Sequence, residues 1–340
     1  AAGVRVAGRL IQQRDHPRAR TYLGKGKVEE LAAMVDMLKA KVVVFDNDLS
    51  PMQIKALEED LKCKVLDRSE LILDIFATRA ATKEARLQVE IAQLEYTAPR
   101  LRSMWSHLGQ VTGGAPMGVG TRGPGEQQLE IDRRLVQQRI VRLKRNLAEV
   151  QARRTREVAG RRDDHYTVGL VGYTNAGKST MFNALTDGDA FEADMLFATL
   201  GTRIGAWNLG GGNQGLISDT VGFIRDLPHH LVASFRATLE ETVYAHLILI
   251  VLDVADPGAA RQFETVTAVL DDIGAVDQPR ILVLNKVDAL RNTVEEGRVP
   301  DDTLDAWLEK NPDAIVTTAK AGEGLEQLTE VVLERMRGEL

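Results

Sequence analysis

Hydrophobic positions in residues 1–78 alternate between strand-like and helix-like patterns. Short β-branched runs predict strands in "VRVAGRLIQ", "KVVVFD" and "KCKVLD". Apolar residues at helical spacing predict helices in "KVEELAAMVDMLKA", "LSPMQIKALEEDL" and "SELILDIFATRA". The second of these helices is expected to have Ser50 as its N-cap and Pro51 at its first position. Such alternation predicts a small α/β domain with a mainly parallel sheet.

Residues 79–162 carry two heptad series. In the first, apolar residues recur at alternating spacings of four and three, at Leu87, Ile91, Leu94, Ala98, Leu101, Trp105 and Leu108. The second has the same spacing, at Val136, Ile140, Leu143, Leu147 and Val150. The glycine-rich stretch 109–125 between them cannot form a helix of its own. We therefore predict an antiparallel, coiled-coil-like helical hairpin with a glycine-rich loop, in which Pro99 kinks the first helix.

Strands and helices alternate again in residues 163–340. Apolar runs predict strands at "YTVGLVG", "GLISDT", "HLILIVLDV", "RILVLNK" and "AIVTT", and a closing helix at "GLEQLTEVVLERMRG". This order predicts a third domain, built on a doubly wound, mainly parallel sheet with its ligand-binding loops at the carboxyl ends of the strands.

A phosphate-binding loop follows the first of these strands. Gly172, Gly177, Lys178 and Ser179 match G-x-x-x-x-G-K-[ST] between a predicted strand and a predicted helix. The glycines let backbone N–H groups converge on phosphate oxygens at a helix N-terminus, and the lysine reaches the β- and γ-phosphates. The serine hydroxyl ligates Mg²⁺. The sequence therefore predicts a P-loop that binds a nucleoside triphosphate with Mg²⁺.

Three further motifs at strand ends indicate that the base is guanine. In DTVG at 219–222, the aspartate can hold Mg²⁺ through water and the glycine N–H can meet the γ-phosphate. In NKVD at 285–288, the closing carboxylate can accept hydrogen bonds from N1–H and the 2-amino group of guanine, both of which adenine lacks. In TAK at 318–320, a backbone N–H can reach guanine O6. We therefore predict a GTPase that uses GTP and GDP.

The expected site residues fall into three groups. Lys178, Thr199 and Gly222 are the catalytic candidates, and Ser179, Thr199 and Asp219 are the candidates for Mg²⁺. Thr199, in "FATLGTR", is the candidate for the threonine that covers Mg²⁺ only in the GTP state, with Thr202 as its competitor. Nucleotide contacts are expected from Gly172, Tyr173, Thr174, Asn175, Ala176, Gly177, Lys178, Ser179, Thr180, Phe197, Thr199, Asp219, Gly222, Asn285, Lys286, Asp288, Thr318, Ala319 and Lys320.

Phe223 stands where Ras-like GTPases have the glutamine that orients the attacking water. Because a phenylalanine side chain cannot donate or accept the necessary hydrogen bonds, we expect slow intrinsic hydrolysis. The missing group must come from a partner macromolecule, a monovalent cation such as K⁺ near Asn175, or a reoriented loop. His229 and His230 lie just downstream and are expected to be solvated.

The charge is distributed unevenly along the chain. The whole chain has a net charge of −6, whereas residues 79–162 contain 17 Lys and Arg against 8 Asp and Glu. A basic segment in an acidic protein favours a polyanionic partner, although a solvated helical surface would give the same composition. The candidate RNA contacts lie on the second heptad helix, at Arg133, Arg134, Arg139, Arg142, Lys144 and Arg145.

Composition indicates an intracellular globular protein. Of 340 residues, 44% are hydrophobic and 27% charged, and the single cysteine, Cys63, excludes an internal disulfide. No apolar run approaches the roughly 20 residues needed to cross a bilayer, and "AAGVRVAGRL" is not typical of a signal peptide. We expect a cytoplasmic monomer with neither a DNA partner nor an integral membrane association.

Several segments together resemble the HflX family, within the Obg-HflX group of translation-factor-related P-loop GTPases. They are "GYTNAGKST", "LFATL", "DTVGFIRDLPHHLVASFRATLEET" and "NKVD" in the third domain, and "YLGKGKVEEL", "VVVFDNDLSP" and "VLDRSELILDIFATRA" in the first. The most specific is "GGAPMGVGTRGPGEQQLEIDRR". The resemblance covers nearly the whole chain.

The resemblance implies a ribosome-associated GTPase that contacts rRNA and proteins of the large subunit and splits or rescues stalled ribosomes. The ribosome-contacting part would be the N-terminal domain with its hairpin, and the ribosome would activate GTP hydrolysis. Some members are reported to bind ATP through the N-terminal domain. "GKGK" at 24–27 is the glycine-rich candidate there, although its position at a helix start also fits a capping role. Many bacterial members have a further C-terminal domain, and contacts made through such a domain stay open.

Two other function classes stay open. A nucleotide-gated protein-binding module would use the heptad hairpin to pair with another helix, and its affinity would barely depend on salt. An ATP-dependent RNA-remodelling activity of the N-terminal domain would survive the loss of Lys178 and Asp288. Phosphate-dominated RNA binding instead weakens by orders of magnitude between about 50 and 200 mM salt.

Overall fold

The computed structural model describes residues 5–80, 82–100, 124–186, 203–220, 222–223 and 240–338. The chain forms two compact units, Ala1–Thr78 with Arg86–Leu147, and Arg79–Ala85 with Ala148–Leu340. Their boundary falls inside the helical segment. The division into domains 1–78, 79–162 and 163–340 therefore stays a prediction.

The first unit contains the small α/β part. Its elements are α1 Lys25–Leu38, β1 Val42–Val44, α2 Pro51–Leu61, β2 Lys64–Leu66 and α3 Arg68–Arg79. The strands β1 and β2 pair in parallel, with Val43 opposite Val65. Helix α2 begins with a capping box: the Gln53 N–H donates to Ser50 Oγ, and the Ser50 N–H donates to Gln53 Oε1. The predicted α/β alternation and the Ser50 cap are confirmed.

The strand predicted at "VRVAGRLIQ" is wrong over its described residues. Residues 5–12 form no strand, and Ile11 is 81% exposed. Instead of a strand backbone, the side chain of Gln12 makes a contact with the rest of the unit. Its Oε1 accepts a hydrogen bond of 2.9 Å from the Gly24 N–H at the start of α1. An alternating apolar pattern becomes a strand only when a neighbouring backbone offers hydrogen bonds, and the pattern does not reveal that neighbour.

Two long helices form the predicted antiparallel hairpin. They are α4 Lys83–Thr97 and α5 Pro124–Asp164, and Ile91, Leu143 and Leu147 share a buried cluster. Ion pairs flank this cluster at 2.7 Å, between Glu90 and Arg139 and between Glu95 and Lys144. Glu90 and Arg139 each precede a heptad isoleucine, and Glu95 and Lys144 each follow a heptad leucine. Equivalent flanking positions pair with each other when the two helices run in opposite directions.

The chain leaves the helical conformation just before Pro99, and the kink predicted there stays a prediction because residues 101–123 lie outside the described residues. Helix α4 stops at Thr97, and residues 98–100 form a turn. Proline disfavours helical backbone at the residue before it, which explains the early end. The heptad positions Leu101, Trp105 and Leu108 and residues 109–123 of the predicted glycine-rich loop lie outside the described residues. Pro124, which we placed in that loop, is instead the first residue of α5.

The second unit is built on a sheet of six strands in the part of the chain that is described. The strands are β3 Tyr166–Gly172, β4 Arg203–Gly210, β5 Asn213–Asp219, β6 Leu247–Asp253, β7 Arg280–Asn285 and β8 Ile315–Val316. Their order is β4-β5-β3-β6-β7-β8, and every pair is parallel except β4 with β5. The helices are α6 Lys178–Leu185, α7 Glu240–Val243, α8 Ala259–Asp272, α9 Val287–Glu295, α10 Thr303–Lys310 and α11 Leu325–Arg337. The predicted doubly wound, mainly parallel sheet is confirmed.

Both faces of this sheet are covered. Leu170 belongs to a core cluster with Met181 and Leu328, and its neighbour Val171 belongs to a second cluster with Leu270. Successive residues of a strand point to opposite faces, so strands buried on both faces appear in the sequence as continuous apolar runs. Because the parallel strands share one direction, the loops after β3, β5, β7 and β8 emerge at the same edge.

Within the described ranges, the structure has no helix long and apolar enough to cross a membrane.

Candidate nucleotide-binding site

The loop between β3 and α6 has the backbone conformation of a phosphate cradle. Gly177 and Asn175 have positive φ angles of 96° and 65°. A Cβ added to Gly177 would lie 2.3 Å from Asn285 Nδ2. Gly177 is therefore required both by its backbone angle and by the close packing of this loop against the loop after β7. Helix α6 begins immediately afterwards, so its free N–H groups face the loop.

Lys178 is buried inside this cradle. Its ammonium donates hydrogen bonds to the carbonyl oxygens of Gly172 at 3.1 Å and Tyr173 at 2.9 Å. Burial lowers the pKa of Lys178 to about 8; the nearby Asp219 carboxylate opposes this shift and Lys286 adds to it. Because its hydrogen-bond acceptors among the described residues are neutral carbonyl oxygens, this buried ammonium is a strong site for an anion.

Ser179 and Asp219 supply oxygen atoms at the adjacent position. Ser179 Oγ donates to Asp219 Oδ2 at 2.7 Å, and Asp219 is completely buried at the end of β5. Hydroxyl and carboxylate oxygens are the ligands that Mg²⁺ prefers, and this ion usually takes its remaining ligands from phosphates and water. These two residues fit a magnesium ion. Their partner in the prediction, Thr199, lies outside the described residues, as does Phe197.

Asn285 ties three loops together. Its Nδ2 donates to Ala176 O at 2.8 Å, and its Oδ1 accepts from the Ala319 N–H at 3.0 Å and from Thr317 Oγ1 at 3.1 Å. The phosphate loop is thereby fixed to the loops after β7 and β8. Thr317 was not among the candidates from the sequence, because in "VTTAK" nothing local distinguishes it from the threonine that follows.

Asp288 and Lys286 lie beside Asn285 with different environments. Asp288 is exposed in the first turn of α9, available to a base. Lys286 has a positive φ of 64°, and its ammonium contacts Asp253 Oδ2 at 2.8 Å. At the end of β8, Thr318 and Ala319 are buried whereas Lys320 is exposed. The structure thus brings the candidates from all four motifs to one edge of the sheet. Asp253 was not among them.

Phe223 has a buried side chain and a backbone that pairs with the phosphate loop. Its side chain is 7% exposed and belongs to the core cluster that contains Val171 and Ile250. Its backbone pairs with the phosphate loop: the Phe223 N–H donates to Gly172 O at 3.1 Å, and the Thr174 N–H donates to Phe223 O at 2.7 Å. The ring therefore packs into the core, while its backbone holds the DTVG segment against the P-loop.

Gly222 is held at close range to the phosphate loop by this pairing. A Cβ at Gly222 would lie 2.8 Å from Thr174 Cα and 2.9 Å from Lys178 Nζ. A glycine is therefore required here, and it lies beside the lysine that would meet the terminal phosphates.

Other sequence candidates fall elsewhere. Thr202, His229 and His230 lie outside the described residues. The six basic candidates on α5 are exposed, but Arg139 and Lys144 are engaged in the ion pairs of the hairpin. In "GKGK", Gly24 is the N-cap of α1 and the Lys27 ammonium pairs with Glu30 at 2.8 Å.

Family models match the chain in three consecutive parts. Residues 1–77 match the GTP-binding GTPase N-terminal family, and residues 79–161 match the GTP-binding GTPase middle region. Residues 167–286 match the family described as 50S ribosome-binding GTPase.

Curated relatives are similar along almost the whole chain. GTPase HflX of Escherichia coli (strain K12) is 44% identical over 341 residues, which covers 100% of this chain and 78% of the relative. GTPase HflX of Caldanaerobacter subterraneus subsp. tengcongensis is 43% identical, over 97% of this chain and 73% of the relative.

The chain belongs to the HflX GTPase family. It is a GTPase, and guanine nucleotide is its ligand. A crystal structure of SsGBP with GDP shares the fold, with a TM-score of 0.52 and 24% identity over 96% of this chain and 90% of that chain. The resemblance to the HflX family that the sequence motifs indicated is confirmed, and so is the P-loop GTPase fold.

Replacing Phe223 with Gln is expected to destabilise this HflX-family protein without restoring fast hydrolysis. The substitution removes a ring from a core cluster and buries an amide there, which costs roughly 2–4 kcal/mol. Denaturant unfolding and single-turnover GTP hydrolysis would measure the two effects. Phe223→Leu, which keeps an apolar side chain, should lose less than half as much stability. A Gln variant as stable as the parent and faster in hydrolysis would show that this side chain faces the nucleotide.

Proposed function

We propose that this protein is a GTPase switched on by the large ribosomal subunit. The single observation that carries the proposal is the burial of Phe223, which leaves the position after DTVG without a side chain to orient water. A site of this kind hydrolyses GTP slowly until a partner completes it. The match to a family described as 50S ribosome-binding GTPase and the basic surplus of residues 79–162 support the ribosome as that partner. The proposed output is the splitting or rescue of stalled ribosomes, by a cytoplasmic monomer.

Each residue of the nucleotide site has a proposed role. Lys178 neutralises the β- and γ-phosphates, and the Gly222 N–H contacts the γ-phosphate when GTP is bound. Ser179 and Asp219 would hold Mg²⁺, with Thr199 joining them in the GTP state, and the ion would supply charge neutralisation on the phosphates. Asn175, exposed and in left-handed backbone, would be the side chain nearest to a K⁺ ion.

The base pocket is assigned to the loops after β7 and β8. Asp288 would accept two hydrogen bonds from guanine, and Lys286 would lie along the base. The TAK segment 318–320 would offer a backbone N–H to O6, although the Ala319 N–H now donates to Asn285 Oδ1. The Asn285 side chain keeps these loops in register with the phosphate loop through its three hydrogen bonds. One side chain therefore connects the loops of the base pocket to the phosphate loop.

The charges on the hairpin differ in their availability to RNA. Arg133, Arg134 and Arg142 are exposed and have no ion-pair partner among the described side chains. Arg139 and Lys144 are offset by Glu90 and Glu95. We therefore assign the first three as the stronger candidates for contacts with rRNA phosphates, because charges that are not already paired gain more from a phosphate.

The test is GTP turnover by this chain alone and with purified large ribosomal subunits, each at about 50 and 200 mM salt. We expect low turnover alone and strong stimulation by subunits that falls steeply at the higher salt concentration. Stimulation that is insensitive to salt would favour a protein contact through the heptad hairpin. Tight GTP binding with no stimulation in either condition would overturn the proposal.

Arg133→Glu combined with Arg134→Glu is expected to weaken binding to large subunits by roughly tenfold or more, because two phosphate contacts become repulsive. Intrinsic GTP hydrolysis should not change. Cosedimentation with subunits and turnover without them would measure these two properties. The matched control is Arg261→Glu with Lys310→Glu, which makes the same charge change at two exposed positions of the second unit. Equal subunit binding by both double variants would assign the hairpin charge to solubility alone.

A further inference from the structure

An ion pair lies beside the proposed base pocket and involves a residue that none of the sequence motifs contains. Asp253, the last residue of β6, accepts a hydrogen bond from the Lys286 ammonium on its Oδ2 at 2.8 Å. The side chain of Asp253 is 16% exposed and that of Lys286 is 27% exposed. A partly buried pair is screened less by water and salt than a surface pair, so it can hold a flexible lysine in one place.

The carboxylate of Asp253 is itself fixed. Its other oxygen, Oδ1, accepts a hydrogen bond from the Ala255 N–H at 3.1 Å. In the sheet, Asp253 lies directly opposite Asn285, and the Val254 N–H donates to Asn285 O at 3.1 Å. Because the backbone of Asp253 is locked to the strand that ends at Asn285, its carboxylate has a defined position relative to the base loop.

The Lys286 side chain follows the phosphate loop. A Cβ at Gly177 would lie 4.0 Å from Lys286 Cε, so the aliphatic part of the lysine passes close to this glycine before its ammonium reaches Asp253. Lys286 also has left-handed backbone, with a φ of 64°, which a non-glycine residue adopts only when its surroundings impose it. Both ends of the side chain are therefore constrained.

We propose that Asp253 is a positioning residue for guanine nucleotide: it holds Lys286 extended over the phosphate loop as a preformed surface for the base. This inference rests on the proposed place of Lys286 against the base. Preorganisation of a long side chain removes an entropic cost from binding. Because the base is common to GDP and GTP, Asp253 contributes equally to the affinity for both nucleotides and does not read the 2-amino group.

The test replaces Asp253 with Asn in the full chain and measures dissociation constants and dissociation rates for GDP, GTP and inosine diphosphate. We expect binding of all three to weaken by about tenfold, mostly through faster dissociation, with the ratio of GDP to inosine diphosphate affinity unchanged. The matched control is Asp256→Asn, three residues further along, where the carboxylate accepts from the Gly258 N–H at 2.7 Å. This control should leave all three affinities within about twofold.

A double-mutant cycle with Lys286→Met separates positioning from general damage. If Asp253 acts through Lys286, then Asp253→Asn should change nucleotide affinity less than about twofold in the Lys286→Met background. An equal loss in both backgrounds, or unchanged affinity in Asp253→Asn itself, would overturn the proposal. Thermal melts of the nucleotide-free proteins would identify a loss that arises from unfolding. Neither overturning result would affect stimulation by large subunits, so this proposal can fail independently of the proposed function.

Discussion

Replacing Asp288 with Asn is expected to weaken GTP binding by about a hundredfold or more and to make xanthosine triphosphate the preferred nucleotide. The proposed carboxylate accepts charge-assisted hydrogen bonds from guanine N1–H and the 2-amino group, each worth about 1.5–3 kcal/mol. An asparagine amide places an N–H donor against the 2-amino group, so donor meets donor. Xanthine has a carbonyl oxygen at that position and accepts this hydrogen bond.

Competition of GTP and xanthosine triphosphate for the Asp288→Asn protein would measure the change. Asp288 is exposed in the first turn of α9, so the substitution should cost less than about 1 kcal/mol of stability. Asp305→Asn is the matched control, since it removes an exposed carboxylate from the first turn of α10. Unchanged GTP affinity in the Asp288 variant would mean that the base lies elsewhere.

Lys178→Ala is expected to weaken GTP binding by roughly 10²–10³-fold, which removes detectable binding at micromolar nucleotide. Loss of one partner from a buried charge pair typically costs about 3–5 kcal/mol, and the phosphates would lose the ammonium that is now buried in the loop. Calorimetric titration with GTP and GDP would measure the loss. The fold should persist, because Gly172 O still accepts the Phe223 N–H. Lys310→Ala, at an exposed lysine of α10, is the control.

The low pKa of Lys178 also predicts that GTP binding depends on pH. With a pKa of about 8 in the free protein, the lysine is half neutral near pH 8. Bound phosphates favour the ammonium and raise its pKa, so binding should take up protons near pH 8, and affinity should fall as the pH rises above 8. Titrations in two buffers of different ionisation enthalpy would detect this uptake in the parent. Persistent GTP binding by Lys178→Ala, or the same proton uptake in that variant, would contradict the assignment.

Local sequence predicted most of the elements of the second unit. The strands β3, β6 and β7 contain continuous apolar runs, which a sheet buried on both faces requires, and β5 was predicted from the shorter run in "GLIS". The edge strand β4 was not predicted. Its sequence "RIGAWNLG" contains two glycines and an asparagine, which have low strand propensity, and its antiparallel pairing with β5 decides its structure. Residues 5–12 are the opposite case: an alternating apolar pattern predicted a strand, but no described strand pairs with this segment.

In the candidate site too, some features were predicted from the sequence and others were not. The motifs predicted which residues would meet at the sheet edge, because a P-loop, a DxxG segment and an NKxD segment each follow a strand, and parallel strands end together. Motifs do not specify contacts between residues distant in sequence. Asn285 bonding to Ala176 and Asp253 bonding to Lys286 join residues 109 and 33 positions apart. Such pairs depend on strand order and register, which a single sequence does not contain.

By itself, the sequence determined that this protein is a P-loop GTPase with an α/β N-terminal part, a heptad hairpin and no glutamine after DTVG. These features depend on residue type and local spacing, and both can be read along the chain. Only the tertiary structure decided where Phe223 goes. Its ring lies in the core while its backbone clamps DTVG to the phosphate loop, because side-chain burial depends on the neighbours that the folded sheet brings together.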